Sequence, residues 1–312
     1  MRIVSKNAQQ PGFLPGAALI VAFALILCQP LKVSGAEPPL RVVTTTATLG
    51  VFAASVGGDQ VDVRVLAPPD RDPHYLEARP SFMAALRRAD LLIEMGADLE
   101  EGWLPVVQRG AGNPKILTGN SGHLRAADPL HLRPSITMEG PNLGHVHAEG
   151  NPHFHIHPGL MRRVLFDVAQ RLSELRPTHE QQFRHQARTL ARDLDTHVEA
   201  LITQVTPGTL MLTYHEDLDY LAEWLPVKDV GHLEPLPGIP PTARHLQRLV
   251  AELSDQPSGV VLHAIYQPGQ GAEFIKERLG WRTASVRMEP PVDGDFDDYL
   301  ELLSELASAV SH

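Results

Sequence analysis

Residues 178–205 read THEQQFRHQARTLARDLDTHVEALITQV. In them Phe183, Ala187, Leu190, Leu194, Val198, Leu201 and Val205 recur every three or four positions, which puts them on one stripe of a helix. At about 1.5 Å per residue these 28 residues make a helix about 42 Å long, enough to run the height of two lobes. On either side of it strands and helices alternate.

Before it, 40–46 (LRVVTTT) is β-branched and compact, 47–56 suits a helix, and 61–66 (VDVRVL) alternates with period two. A helix is predicted over 81–89, a buried strand over 91–95 and a helix over 98–108 with Asp98 as its N-cap. From about 120 to 150 the pattern fails, and Gly, Pro, Asn and His make a long loop. Residues 159–175 resume a helix. After the long helix the alternation restarts, with strands over 209–213, 227–230, 259–265 and 283–288 and helices over 217–224, 242–253, 269–279 and 296–310. The fold class is α/β: two lobes, each a mostly parallel sheet flanked by helices, joined by one long rigid helix.

The first 36 residues stand outside that fold. Arg2 and Lys6 precede an apolar run from about residue 13 to residue 27, and Ser34-Gly35-Ala36 follows, the pattern of a cleaved secretory signal peptide. Cys28 closes the run, but Leu27 sits where a lipid-attachment motif wants a small residue, so a periplasmic protein is expected rather than a lipoprotein. Without these residues the chain has no cysteine. The expected organisation is a signal peptide (1–36), an N-terminal lobe (37–177), a linker helix (178–205) and a C-terminal lobe (206–312).

The chain carries a formal charge of −10, which argues against a nucleic-acid partner. Sixteen histidines beside one cysteine turn attention from thiol to imidazole chemistry. His74 follows a strand in Asp72-Pro73-His74, His153 lies in Asn151-Pro152-His153 ahead of a helix, and His215 ends the first strand of the second half. In open α/β sheets ligands gather beyond the carboxyl ends of strands. Three histidines in such settings across two lobes point to a shared metal. A secreted zinc hydrolase is the competing class, but in His215-Glu216 the second helical histidine of a metalloprotease motif is replaced by Asp219.

The chain resembles the zinc/manganese-binding solute receptors of ABC importers. The resemblance rests on Asp72-Pro73-His74 with Arg79-Pro80-Ser81, Ala89-Asp90-Leu91, Gly96-Ala97-Asp98-Leu99-Glu100, Asn151-Pro152-His153, Thr213-Tyr214-His215 with Tyr220, and the stretch 234–241 (EPLPGIPP). It implies His74, His153 and His215 as metal ligands, with Glu289 of Met288-Glu289-Pro290 in the place of a fourth, carboxylate ligand. It also implies a monomer that docks on an inner-membrane ABC permease, with a metal chaperone as a further partner, and no catalysis. A manganese or iron receptor and an adhesin share that fold.

Two positions depart from the family pattern. His155 and His157 stand where an aromatic residue and an Asp are usual, and a strand-like trace puts both on the side of His153. Glu rather than Asp stands at 289, so water, His155 or Asp293 remain alternatives there. Three imidazoles and a carboxylate favour Zn²⁺ over manganese. His123, His131, His145 and His147 fall in the long loop, either as a metal-collecting segment or as a solvated linker. His179, His185, His197, His232, His245 and His263 are read as structural or surface residues.

Overall fold

The computed structural model describes residues 37–135, 148–236 and 238–311, besides Ser5 and Gly12. Residues Met1–Pro38 form a unit apart from Pro39–His312, and the signal-peptide reading lies almost wholly outside the described residues. No described helix is long and apolar enough to cross a membrane.

In chain order the first half holds β1 (Leu40–Thr44), α1 (Ala47–Gly57), β2 (Val61–Val65), α2 (Pro80–Arg88), β3 (Leu91–Glu94), α3 (Leu104–Ala111) and β4 (His123–Arg125). Helices α4 (Pro158–Leu175) and α5 (Glu180–Ile202) follow. The second half holds β5 (Thr209–Thr213), α6 (Leu221–Trp224), β6 (Val227–His232), α7 (Ala243–Leu253), β7 (Val260–Ala264), α8 (Gln270–Leu279), β8 (Arg282–Val286) and α9 (Phe296–Ser311). The sheets run β2-β1-β3-β4 and β6-β5-β7-β8, and every pairing is parallel. In each the chain reverses its direction of travel beside the central strand, β1 or β5, which opens a crevice at the strands' carboxyl ends.

Parallel strands covered on both faces must be apolar on both. Val42 of β1 turns to a core continuous between the lobes, shared with Leu91, Met211, Val260 and Leu262, whereas Val43 packs outward with Leu86, Leu92 and Leu104. Leu210 and Leu212 of β5 face a separate outer cluster with Leu249 and Ile275. The long helix has company between the lobes: Phe183, Ala187, Leu194 and Leu201 of α5 join the shared core with α4 and α9. Tyr299 of α9 meets Phe52 of α1 edge-on, ring centres 4.9 Å apart.

Four expectations change. The long helix spans 23 residues rather than 28, because Pro177–His179 forms a separate 3-10 turn and the chain leaves the helix at Thr203. Asp98 caps no helix: Gly96, Ala97 and Asp98 all take left-handed backbone, and α3 begins at Leu104. That turn wraps the buried Glu100, whose carboxylate accepts from Met95 N (2.8 Å), Gly96 N (3.1 Å) and Thr45 Oγ1 (2.6 Å). Within 120–150, residues His123–Arg125 add strand β4 to the first sheet. The helix predicted over 217–224 is a 3-10 turn, Glu216–Leu218, followed by the single turn of α6.

Asp90 ties the start of β3 to β1. Its carboxylate takes Arg41 Nε (3.0 Å), Arg41 Nη2 (3.1 Å) and Lys115 Nζ (3.2 Å). Burial alone would raise its pKa, but these donors and charges outweigh it and hold the group at about 2.

Candidate metal centre

The Asp-Pro-His triplet is a self-contained bracket. Asp72 caps the 3-10 turn Pro73–Tyr75 by accepting the His74 N–H at 3.0 Å, proline supplies the fixed φ of the first position, and Asp72 Oδ1 lies 2.7 Å from His74 Nδ1. A proton shared there belongs on Nδ1, which turns the Nε2 lone pair outward from the bracket. Burial works to raise the Asp72 pKa, yet the bond and charge of His74 leave it lowered.

Asn151 does the same for His153 by another route. Its Oδ1 accepts the His153 N–H at 2.9 Å and its Nδ2 donates to Glu216 O at 2.7 Å, so the His153 turn is pinned to the residue after His215. Tyr220 Oη donates to Asn151 O (2.8 Å) and accepts from Arg133 N (3.1 Å), closing the bracket.

His215 follows β5 with its carbonyl held by Thr213 Oγ1 at 2.9 Å. Its Nδ1 lies 3.1 Å from Glu234 Oε2, at the start of the EPLPGIPP stretch. Burial disfavours a charged ring, but Glu234 and Asp217 outweigh it and lift the His215 pKa to about 9. Asp217 moves the other way from an ordinary carboxyl: burial pushes it up to about 7 against the pull of His215.

The three rings converge, with centres 5.1 Å apart for His74 and His153, 5.6 Å for His153 and His215, and 6.5 Å for His74 and His215. A cavity of about 220 Å³ opens beside His74 and His215, walled by Asp72, Glu234, Tyr75 and Tyr266. Glu289 is buried after β8 on the N-terminus of α1, where its Oε2 accepts from Thr48 N and Thr48 Oγ1, both at 2.7 Å. The exposed N–H groups and dipole of a helix N-terminus favour a carboxylate there. Glu289 Oε1 lies 4.0 Å from His155 Nε2.

His155 and His157 do not follow a strand-like trace, because Phe154–Ile156 is a 3-10 turn. His155 is buried, donates Nε2–H to Met288 O at 2.9 Å, and leaves Nδ1 without a hydrogen bond, its ring 6.4 Å from His153. His157 caps α4: its Nδ1 accepts the Leu160 N–H at 3.2 Å, the service an Asp would render. Asp293 is exposed on the turn after Pro291.

The remaining histidines take other posts. His123 is buried in β4, 3.0 Å from Glu94 Oε1, and His131 is exposed; His145 and His147 lie outside the described residues. His197 bonds Ser304 Oγ at 2.8 Å and His245 bonds His232 O at 2.9 Å. Sequence reasoning missed one grouping, in which ligand atoms of Asp219, Asp229 and His232 lie within 4.8 Å of one another. Arg133 already serves it, 3.4 Å from Asp219 and 3.5 Å from Asp229, and His232 lies 2.7 Å from Asp219. Arg133 and His232 set against Asp219 and Asp229 make this an ion-pair network.

Residues 42–312 match the family described as zinc-uptake complex component A, periplasmic. The "High-affinity zinc uptake system protein ZnuA" of Yersinia pestis is 24% identical over 310 residues, covering 93% of this chain and 94% of that protein. The "Manganese ABC transporter substrate-binding lipoprotein PsaA" of Streptococcus pneumoniae is 29% identical over 131 residues, 40% of either chain. Among solved structures, a crystal structure of ZnuA superposes with a TM-score of 0.71 at 20% identity, over 87% of this chain and 99% of that one. The solute-binding protein FpvC of Pseudomonas aeruginosa, in complex with Mn²⁺, does so at 0.72 and 20%, over 87% and 98%. The match runs through both sheets and all three histidine turns: this chain belongs to the zinc-uptake component A family, the periplasmic metal-binding receptors of ABC importers, which are solute-binding proteins and not enzymes.

Proposed function

We propose that the chain is a zinc receptor: it captures one Zn²⁺ in the cleft between the lobes through His74, His153, His215 and Glu289 and releases it to the importer's permease, acting as a monomer. The observation that carries this is the convergence of three imidazoles from three separated turns, ring centres 5.1–6.5 Å apart, two of them backed by carboxylates. Imidazole is a borderline ligand that zinc accepts readily, and for a nitrogen-rich site the affinity order puts zinc well above manganese. Carboxylates behind coordinating histidines raise their basicity and fix the ring. The zinc-uptake relative that matches along nearly the whole chain supports the same choice. In this reading residues 1–36 are the export signal, and 37–177 and 206–312 are the lobes on either side of the linker at 178–205.

Competition titration against a chromophoric chelator tests it. The wild type should bind one equivalent of zinc in preference to manganese, and His74→Ala, His153→Ala and His215→Ala should each weaken binding by about 100-fold or more, since each removes one of the groups that hold the ion. Wild-type affinity in any two of these variants would reject the site.

A further inference from the structure

We propose that Asp217 is a further metal-facing carboxylate of this cleft, its Oδ1 supplying an oxygen to the ion that the three histidines hold; the inference rests on the zinc reading above. Asp217 sits in the 3-10 turn Glu216–Leu218, two residues after His215, and is 1% exposed. One of its oxygens is fixed: Oδ2 accepts from Gln267 Nε2 at 2.7 Å. Gln267 is itself pinned, its Oε1 accepting the Ala264 N–H at 2.8 Å, and its side chain lines the cavity beside His74 and His215. The other oxygen, Oδ1, is buried with no hydrogen-bond donor.

Among the described residues no other carboxylate has an oxygen in that condition. Glu100 has three donors, Glu289 two from Thr48, and Asp72 two from His74. A buried, rigidly held carboxylate oxygen that no protein donor satisfies is an acceptor left open, and next to a histidine-lined cleft a divalent cation is a partner that suits it. Its position puts it next to the cleft: its turn starts directly after His215, and its partner Gln267 lines the cavity wall together with His74, His215 and Tyr266. A divalent ion held by three neutral imidazoles and the single Glu289 carboxylate keeps a net positive charge, and Asp217 supplies the second anion that neutralises it.

The test is Asp217→Asn in the full mature protein, an isosteric change that keeps an oxygen to accept from Gln267 Nε2. Three readouts are taken together: zinc affinity by chelator competition, the Tm of the metal-free protein, and the visible d–d spectrum of the Co²⁺-loaded protein. The expected result is at least ten-fold weaker zinc binding, a metal-free Tm equal to or above wild type because a donorless buried charge has been removed, and an altered cobalt spectrum. Glu277→Gln, exposed on α8 away from the cleft, should change none of them. Unchanged affinity, a lowered metal-free Tm or an unchanged cobalt spectrum would each overturn the assignment. Failure of the zinc reading itself looks different: His74→Ala and His153→Ala would then bind as wild type, whatever Asp217 does.

Discussion

Asp72 Oδ1 lies 2.7 Å from His74 Nδ1 and 3.0 Å from His74 N, so one carboxylate fixes both the backbone and the ring of the same residue. Within the C-terminal lobe Glu234 repeats the ring contact on His215 at 3.1 Å. Outer carboxylates of this kind typically matter by 10–100-fold in metal affinity. Asp72→Asn and Glu234→Gln should therefore each weaken zinc binding by about ten-fold or more, measured by competition titration, with an intact circular-dichroism spectrum.

Thr48 gives the Glu289 carboxylate both its backbone N–H and its hydroxyl at 2.7 Å. Hydrogen bonds to charged groups contribute about 1.5–3 kcal/mol, and the hydroxyl holds the side chain in its pose. Thr48→Val should weaken zinc binding in the wild type and add almost nothing in the Glu289→Gln background. A double-mutant cycle on zinc affinity checks it, and purely additive effects would disconnect Thr48 from the site.

His157 should make the fold acid-sensitive. Its Nδ1 must be unprotonated to accept the Leu160 N–H, and burial, only partly offset by Glu223, holds its pKa below the ordinary histidine value. The unfolded chain then binds the proton more readily, so this group's contribution is present above about pH 6.5 and is lost as pH falls through the lowered folded pKa. Losing the cap costs about 1 kcal/mol. His157→Asn keeps an acceptor that does not titrate, and thermal unfolding between pH 7 and 5 should show a flatter stability profile than wild type.

Zinc should change the overall shape little. Core residues of both sheets merge into one cluster around α4, α5 and α9, and Phe296 and Tyr299 of α9 both reach Phe52 of α1. A large hinge closure would have to tear that cluster. Small-angle scattering should give the same radius of gyration with and without zinc; a decrease typical of hinge-bending receptors would contradict the shared core.

The parallel strands were legible because burial on both faces demands apolar, β-branched runs: 209–213 is the span of β5, and 40–46 overshoots β1 by two residues. What escaped was fixed by tertiary contact. Strand β4 is three residues, too short for any period, and exists because β3 offers it an edge. The left-handed turn at Ala97 and Asp98 follows from a buried Glu100 that no local pattern announces. At the cleft, the histidine turns carried visible punctuation in Asp-Pro and Asn-Pro. The capping duty of His157 and the donorless oxygen of Asp217 were hidden, since each depends on an atom's partner rather than a residue's type.

The most direct measurement is a crystal structure of the zinc-loaded protein, phased on the zinc edge. One ion should lie between the lobes with zinc–nitrogen bonds of about 2.0–2.1 Å to His74, His153 and His215 and a zinc–oxygen bond of about 2.0–2.2 Å to Glu289. An ion bound by two or fewer of these imidazoles, or seated outside the cleft, would contradict the account.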